Sequence, residues 1–451
     1  MATSARLFAR DLYEEHLEEA GFLSEQRASL LFDPEISWRD IKDFESRLEA
    51  HLDALVIGKN LALEVCRAKV MECDPWELNT IVRVFCRQRR KDYVFKLLSS
   101  VDTGDVEISK AIAHALRQEA PPAWQEDLIR VLQGSQNYLD GIIGHVAGYR
   151  RFPAAAAISK KLVGQNYNTL RELIWALGRV GDDTTIPKLR EMLTHDNAEV
   201  CSEAALALSR LGDSHPMRSG LMEAQLKSWP RYCLGVAGNK QAVSVLLDIL
   251  KSGKPDVDVI QSLGLLGDLS AVTPLLDVLG HEELGATAAI ALNTITGASL
   301  QSEIFVADKF DEEELFEEER EVYEREGKLP SRQDKTPYGH WQTQANRGKA
   351  DWRRWLTEHR DKFDRSIRWR AGMPYGPRAL ASSLSSTTTP NAVRGAIYEE
   401  LVCRYRIPIP FEADLPVHQQ ERFLVQINAW ANQVEPDFEA GKWYFAGQLQ
   451  A

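Results

Sequence analysis

The chain has 451 residues, of which 44% are hydrophobic and 27% are charged, a composition typical of a folded globular protein. Its formal net charge of −12 argues against general binding to nucleic acids or anionic membranes, because both repel an acidic protein. The N-terminal segment turns acidic before a signal-peptide apolar region can form, and no apolar run approaches the roughly 20 residues that span a bilayer.

The cysteines point to a reducing compartment. Six of them are scattered along the chain without a C-x-x-C pair, and several lie in apolar helical patterns. Cysteine in such a pattern behaves as a small hydrophobic residue. We therefore expect a soluble cytoplasmic protein without disulfide bonds.

Residues 1–74 are predicted to form an N-terminal helical cap. Apolar residues recur at helical spacing in the first thirty residues and again over residues 41–55. Ser37, with Asp40 three residues later, is a candidate N-cap for the second of these helices. Amphipathic helices of this kind cannot bury their own apolar faces, so we expect them to cover the end of a larger helical domain.

A repeated pattern occupies residues 75–297. The segment LIWALGRVGDDTTIPKLREML (173–193) matches AALALSRLGDSHPMRSGLMEA (204–224), which places Gly181 and Gly212 31 residues apart. A glycine in the left-handed conformation ends one helix, and the following Asp begins the next turn. Weaker copies follow at 233–250, 262–279 and 288–297. This periodicity predicts an all-α fold, an α-solenoid of antiparallel helix pairs.

After Gly297 the composition changes. Residues 298–350 are predicted to be an acidic insert (308–327) followed by a polar loop, and residues 351–451 a C-terminal helical region. The insert suits either a helix that packs on its own chain or a partner-binding element, because it also contains apolar residues. These are Phe310, Leu315, Phe316, Val322 and Tyr323.

Charged residues recur at the repeat spacing on the helix that precedes each Gly-Asp turn. A row of this kind can meet opposite charges on a partner, or it can be a solvated face with salt bridges between repeats, each of little energetic value. We take the row as the candidate partner-binding site. Its members are Arg171, Glu172, Arg179, Glu203 and Arg210.

The repeats resemble the short HEAT variety of phycobilisome-lyase-like proteins, and the chain as a whole resembles a bacterial HEAT-repeat family. The segments that carry the wider resemblance are LYEEHLEEAGFL (12–23), RLEAHLDAL (47–55), RWRAGMPYGPRAL (368–380) and VRGAIYEELVCRY (393–405). Members of this family look like cytoplasmic accessory proteins, and some accompany type VI secretion. The resemblance implies an immunity or adaptor protein whose partner is a protein such as a secreted effector or toxin.

No motif in the sequence indicates catalysis. The chain has no G-x-G-x-x-G, P-loop, H-E-x-x-H or G-x-S-x-G. Its single His-Glu pair, His281-Glu282, falls short of the several pairs that surround the metals of HEAT-repeat di-iron hydroxylases. We therefore expect no enzyme activity, no metal and no cofactor. Two alternatives stay open: a tetrapyrrole lyase-like enzyme, and a DNA-glycosylase-like protein that binds nucleic acid through the tryptophan- and arginine-rich segment 351–370.

Overall fold

The computed structural model describes residues 2–33, 36–102, 104–134, 137–253, 255–308, 315–327 and 336–450. Within these ranges the chain is helical apart from three two-stranded hairpins, so the prediction of an all-α solenoid is confirmed. Short 3₁₀ turns connect some of the helices. They are Pro122–Trp124, Asn137–Leu139, Asp183–Thr185, Leu269–Ala271, Arg360–Lys362 and Glu435–Asp437.

Three helices begin the fold: α1 (Ala2–Leu30), α2 (Ile41–Ile57) and α3 (Lys59–Lys69). The first of them packs on α2 and on the first helix of the repeats, as an end cap does. The prediction of Ser37 as an N-cap is wrong. Helix α2 begins at Ile41 without any side-chain cap, and the Ser37 hydroxyl accepts only from the backbone N–H of Arg39, at 3.3 Å.

The repeats form two rows of helices. Neighbouring first-row helices contact one another along the whole stack, whereas second-row neighbours barely touch, so the first row lies on the inner side of the curve. The first row is α4 (Pro75–Arg87), α6 (Val106–Glu119), α8 (Asp140–Arg150), α10 (Tyr167–Val180), α12 (Ala198–Arg210), α14 (Pro230–Ala237), α16 (Val257–Leu266) and α18 (Gly285–Thr296). The second row is α5 (Lys91–Leu98), α7 (Gln125–Gln133), α9 (Ala155–Lys160), α11 (Ile186–Met192), α13 (His215–Glu223), α15 (Lys240–Lys251) and α17 (Val272–Val278).

Small residues set the spacing of the first row. A Cβ on Gly178 would lie 2.7 Å from the Cα of Ala207, and one on Gly264 would lie 2.9 Å from the Cα of Ala291. The predicted turn chemistry is also present, because Gly181 ends α10 at a φ of 82°. The side chain of Asp182 then accepts from the backbone N–H of Thr184.

The insert after α18 contains a β-hairpin that the sequence analysis missed. Strand β1 (Gln301–Ala307) pairs antiparallel with β2 (Gly339–Ala345), and α19 (Glu317–Glu326) lies between them in sequence. The prediction of a polar loop is therefore wrong for the second strand. The pairing joins segments more than thirty residues apart, and Trp341 is 67% exposed, so local hydrophobic alternation does not mark the strand. Of the apolar residues in the acidic stretch, Leu315 is buried and Phe316 exposed. Phe310 and the side chain of Val322 lie outside the described residues.

The C-terminal region contains four helices and two small hairpins. It contacts α2 through α23, α12 and α14 through α22, and α18 through β3, so it lies along the inner row from one end of the solenoid to the other. Its elements are α20 (Lys349–Glu358), β3 (Trp369–Arg370), β4 (Met373–Pro374), α21 (Pro377–Ser385), α22 (Asn391–Tyr405), α23 (Val417–Val434), β5 (Tyr444–Phe445) and β6 (Gln448–Leu449). Among the helices described, none has the length and hydropathy to cross a membrane.

Candidate functional site

Buried arginines of the C-terminal region cap two first-row helices at their C-terminal ends. Arg404 donates to the carbonyl oxygens of Gly235 (3.1 Å) and Gly238 (2.9 Å) at the end of α14. Arg370 and Arg368 donate to carbonyl oxygens of the last two residues of α16, at 2.7 and 2.6 Å. A cation at a helix C-terminus meets the negative end of the helix dipole and unpaired carbonyl groups. These contacts attach the C-terminal region to the end of the solenoid.

One buried carboxylate, Glu400, holds this cluster together. It lies 2.6 Å from Arg370 and accepts from the Tyr375 hydroxyl at 2.5 Å. Burial raises the pKa of Glu400, and the positive charges of Arg370 and Arg404 oppose that effect. The cluster thus joins residues from the 368–380 and 393–405 segments.

A second set of ion pairs joins the middle of the inner row to the C-terminal region. Arg179 and Arg210 both bind Glu399 on α22, at 3.0 and 2.5 Å. Glu412, in the segment between α22 and α23, binds Arg179 at 2.8 Å and Arg151 at 2.9 Å. Burial alone would raise the pKa of Glu412, but these two arginines outweigh it and lower the pKa to about 2.

The five predicted partner-binding residues therefore divide into two groups. Arg179 and Arg210 are 9% and 7% exposed, and their charges are met by the same chain, so they are not available to a separate partner. Arg171, Glu172 and Glu203 are half-buried, lie in the N-terminal halves of their helices and form no ion pair with the described residues of the C-terminal region. The five residues thus lie on one face of the solenoid. Only Arg171, Glu172 and Glu203, at the open end of this row, remain accessible to a partner.

At the open end, neighbouring repeats also contact each other. Arg171 forms an ion pair with Glu199 on the next first-row helix. Nδ1 of His145 lies 2.6 Å from a carboxylate oxygen of Glu172, and the His145 ring stacks on Trp175 with 4.7 Å between centroids. Exposed ion pairs between repeats contribute about 0 to 1 kcal/mol each. Arg171 and Glu172 therefore serve in part to join neighbouring repeats.

A third acidic residue has the same register as Glu172 and Glu203. Each of these lies nine residues before a left-handed glycine (172 to 181 and 203 to 212), and Asp258 stands in the same relation to Gly267 (258 to 267). We call Glu172, Glu203 and Asp258 the open strip. Asp258 was not among the predicted residues, although it can be identified from the repeat register alone.

Two of the three carboxylates of the open strip form no ion pair within the described residues. In the part of the chain that the structure describes, Glu203 and Asp258 have neither a hydrogen-bond nor an ion-pair partner. Burial raises the pKa of Glu203 to about 7, opposed by Arg179 and aided by Glu399 and Glu172. Burial and the neighbouring Asp256 also raise the pKa of Asp258. The strip is therefore a concave acidic surface on which a positive charge would be stabilised.

The residues that a metal site or a nucleic-acid interface would require lie outside the open strip. His281 is exposed, and its ring accepts from the backbone N–H of Leu284 at 3.4 Å. Over the described ranges, no group of three His, Cys, Asp or Glu residues is arranged to hold a metal ion. Trp352 and Trp369 of the 351–370 segment are 0% and 5% exposed, and Arg368 and Arg370 are buried as well. These side chains are engaged inside the protein and do not offer a surface on which bases could stack.

Residues 155–229 match the family model of HEAT repeats. This segment is thus similar to HEAT repeats. It runs from the first residue of α9 to the residue before α14, so it contains all five predicted partner-binding residues, including the two arginines that bind Glu399. A comparison with the curated proteins gives no match. HEAT-repeat arrays present extended surfaces and generally serve as interaction scaffolds, without chemistry of their own.

Proposed function

We propose that this chain is a non-enzymatic protein-binding module whose partner presents a basic surface to the open strip. The main support is the carboxylate of Glu203, which lies on the concave side and forms no ion pair or hydrogen bond with the residues that the structure describes. An ionised carboxylate that has lost part of its hydration is costly unless a cation or hydrogen-bond donors compensate it. A lysine or arginine of the partner would supply that compensation.

The charge pattern also predicts how the partner associates. Glu172, Glu203 and Asp258 place like charges on α10, α12 and α16 of the inner row, with the C-terminal region closing one side. Such a row attracts an oppositely charged surface at a distance and aligns it along the repeats. The attraction is screened by salt, so the rate of association should fall as ionic strength rises.

We also propose a cellular role, which is supported by the family resemblance of residues 12–23, 368–380 and 393–405. In this role the chain acts in the bacterial cytoplasm as an immunity or adaptor protein, and its partner is an effector or toxin of a type VI secretion system. The six cysteines are free thiols, as a reducing compartment requires. The open strip would then be the surface that recognises a basic region of the effector.

The test is a charge reversal on the open strip, Glu203→Lys, with Glu191→Lys as its control. Glu191 is an exposed glutamate on the second-row helix α11, where no partner contact is proposed. The partner is captured from native cells by the unmodified chain and identified by mass spectrometry, and its association kinetics are then measured at low and high salt. We expect at least tenfold slower association for Glu203→Lys at low salt and native kinetics for Glu191→Lys. Native kinetics for a folded Glu203→Lys variant would move the interface away from the open strip.

A further inference from the structure

Two cavities lie where the C-terminal region meets the first-row helices. The larger, of about 380 Å³, is bordered by α1, α2, α4 and α6, and its basic residues Arg27, Lys42 and Arg83 are each paired with a carboxylate. The smaller, of about 200 Å³, lies between the C-terminal ends of α6 and α8 and the segment 406–416 with α23. We call it the seam cavity.

The arginines that line the seam cavity outnumber the carboxylates that pair with them, by three to two. Three arginines line it. Arg117 is paired with Asp414 at 2.5 Å, and Arg151 with Glu412 at 2.9 Å. The third, Arg150, forms no ion pair within the described residues, and its guanidinium donates to the backbone carbonyl of Arg117 at 3.2 Å.

Among the described residues, the surroundings of Arg150 offer no other counter-ion. The carboxylate of Glu119 acts on it only at a distance, because Glu119 accepts from both Arg83 and Arg87. Burial lowers the pKa of Arg150, as expected for a guanidinium that has lost water without gaining a carboxylate. Two further donors of the lining residues, the Tyr149 hydroxyl and Nε of Arg117, are buried without an acceptor. Donors are thus in excess over acceptors at this place in the fold.

Apolar side chains form the opposite wall. Phe411, Leu415 and Phe423 line the cavity from the C-terminal side, together with two prolines. The volume of about 200 Å³ is below the roughly 300 to 1,000 Å³ of pockets for drug-sized ligands. The cavity therefore suits a small occupant with a compact apolar body and an acidic group.

We propose that the seam cavity binds a carboxylate attached to a small apolar group, with Arg150 as its ionic partner. The other two arginines of the cavity already bind carboxylates of the same chain, because Arg117 pairs with Asp414 and Arg151 pairs with Glu412. The ligand supplies the third carboxylate. It comes either from a free organic acid or from the C-terminal carboxylate of a peptide with an aromatic last residue, and both present the same group to Arg150.

The experiment measures binding by calorimetry to the full chain and to the variant Arg150→Gln. The probes are phenylacetate and its neutral analogue phenylacetamide, and a short glycine peptide ending in phenylalanine, with a free or an amidated C-terminus. We expect one of the two acids to bind the native chain, its neutral counterpart to bind at least tenfold more weakly, and Arg150→Gln to lose the same factor for the acid. Tenfold corresponds to about 1.4 kcal/mol. Which acid binds distinguishes a free metabolite from a peptide end.

Two controls separate binding from folding. Arg218→Gln changes an exposed arginine of α13 and should leave the binding of the acid as in the native chain. Arg150→Gln should melt at or above the native temperature, because it removes a charge that has no counter-ion. The proposal is overturned if neither acid binds the native chain, if acid and amide bind equally, or if Arg150→Gln binds as the native chain does. None of these results bears on the proposed binding of a partner to the open strip, because that surface is formed by other residues.

Discussion

The substitution Glu412→Gln removes the carboxylate that joins the segment between α22 and α23 to the inner row. Glu412 binds Arg151 and Arg179, and its side chain is 15% exposed. Glutamine has nearly the same shape and keeps one oxygen as an acceptor, but it leaves Arg151 without a carboxylate. Arg179 retains Glu399.

The size of the effect follows from the pKa of Glu412. Its fall from 4.5 to about 2 corresponds to about 3 kcal/mol of preferential stabilisation of the charged form, at about 1.4 kcal/mol for each pH unit. Because the pKa in the folded state is lower than in the unfolded state, this stability is fully present above pH 4.5 and is lost as the pH falls towards 2. Glutamine cannot titrate, so the difference between the two proteins should shrink in acid.

The assay is urea denaturation of the native chain and of Glu412→Gln at pH 7 and at pH 3. We expect a difference in the free energy of unfolding of about 3 kcal/mol at pH 7 and less than half of that at pH 3. The control is Glu421→Gln on α23, whose ion pair with Lys42 is exposed and should contribute less than about 1 kcal/mol. A loss of stability for Glu412→Gln no larger than that of its control, or a difference that is the same at both pH values, would contradict this prediction.

Two further predictions concern the contact with the C-terminal region and the open strip. Gly267→Ala should destabilise the chain by about 3 kcal/mol or more, because its Cβ would lie 2.2 Å from the carbonyl oxygen of Trp369. The control is Gly181→Ala, at a similar positive φ, where an added Cβ would have no neighbour within 4 Å. It should cost only about 1 to 2 kcal/mol in the same urea denaturation. Equal losses for the two variants would contradict the packing of β3 on α16. Glu203→Gln should gain stability over the native chain as the pH rises from 4.5 through about 7, where native Glu203 ionises in the folded state. After discounting for its partial exposure we expect about 1 to 2 kcal/mol, measured by thermal melting at about pH 5 and pH 8.5, and a variant that is no more stable at the higher pH would contradict it.

The solenoid could be predicted from the sequence because each repeat is a local unit. The 31-residue match between Gly181 and Gly212 marks positions where the chain adopts a positive φ, and the small residues before them mark the close contacts of the first row. Each of these features depends on residues within one or two repeats. The register also contained Asp258, which the sequence analysis did not use.

The contacts of the C-terminal region could not be predicted in the same way. Arg179 meets Glu399 across 220 residues and Glu412 across 233 residues, and no local pattern specifies such partners. A charged side chain at repeat spacing looks the same in sequence whether its counter-ion lies on a partner or on its own chain. The hairpin of β1 and β2 was missed for a related reason, because its strands are far apart in sequence and one of them exposes Trp341.

We infer that the arginines of the inner row hold the chain's own C-terminal region, so that the open strip is what remains for a partner. A double-mutant cycle between Arg210→Met and Glu399→Gln measures this contact, because the two residues lie on different parts of the fold and Glu399 is the one carboxylate paired with Arg210 in the described chain. We predict that the free energies of unfolding of the four proteins give a coupling energy of about 2 kcal/mol or more. Effects that add to within about 0.5 kcal/mol would contradict the claim and return Arg210 to the surface available to a partner.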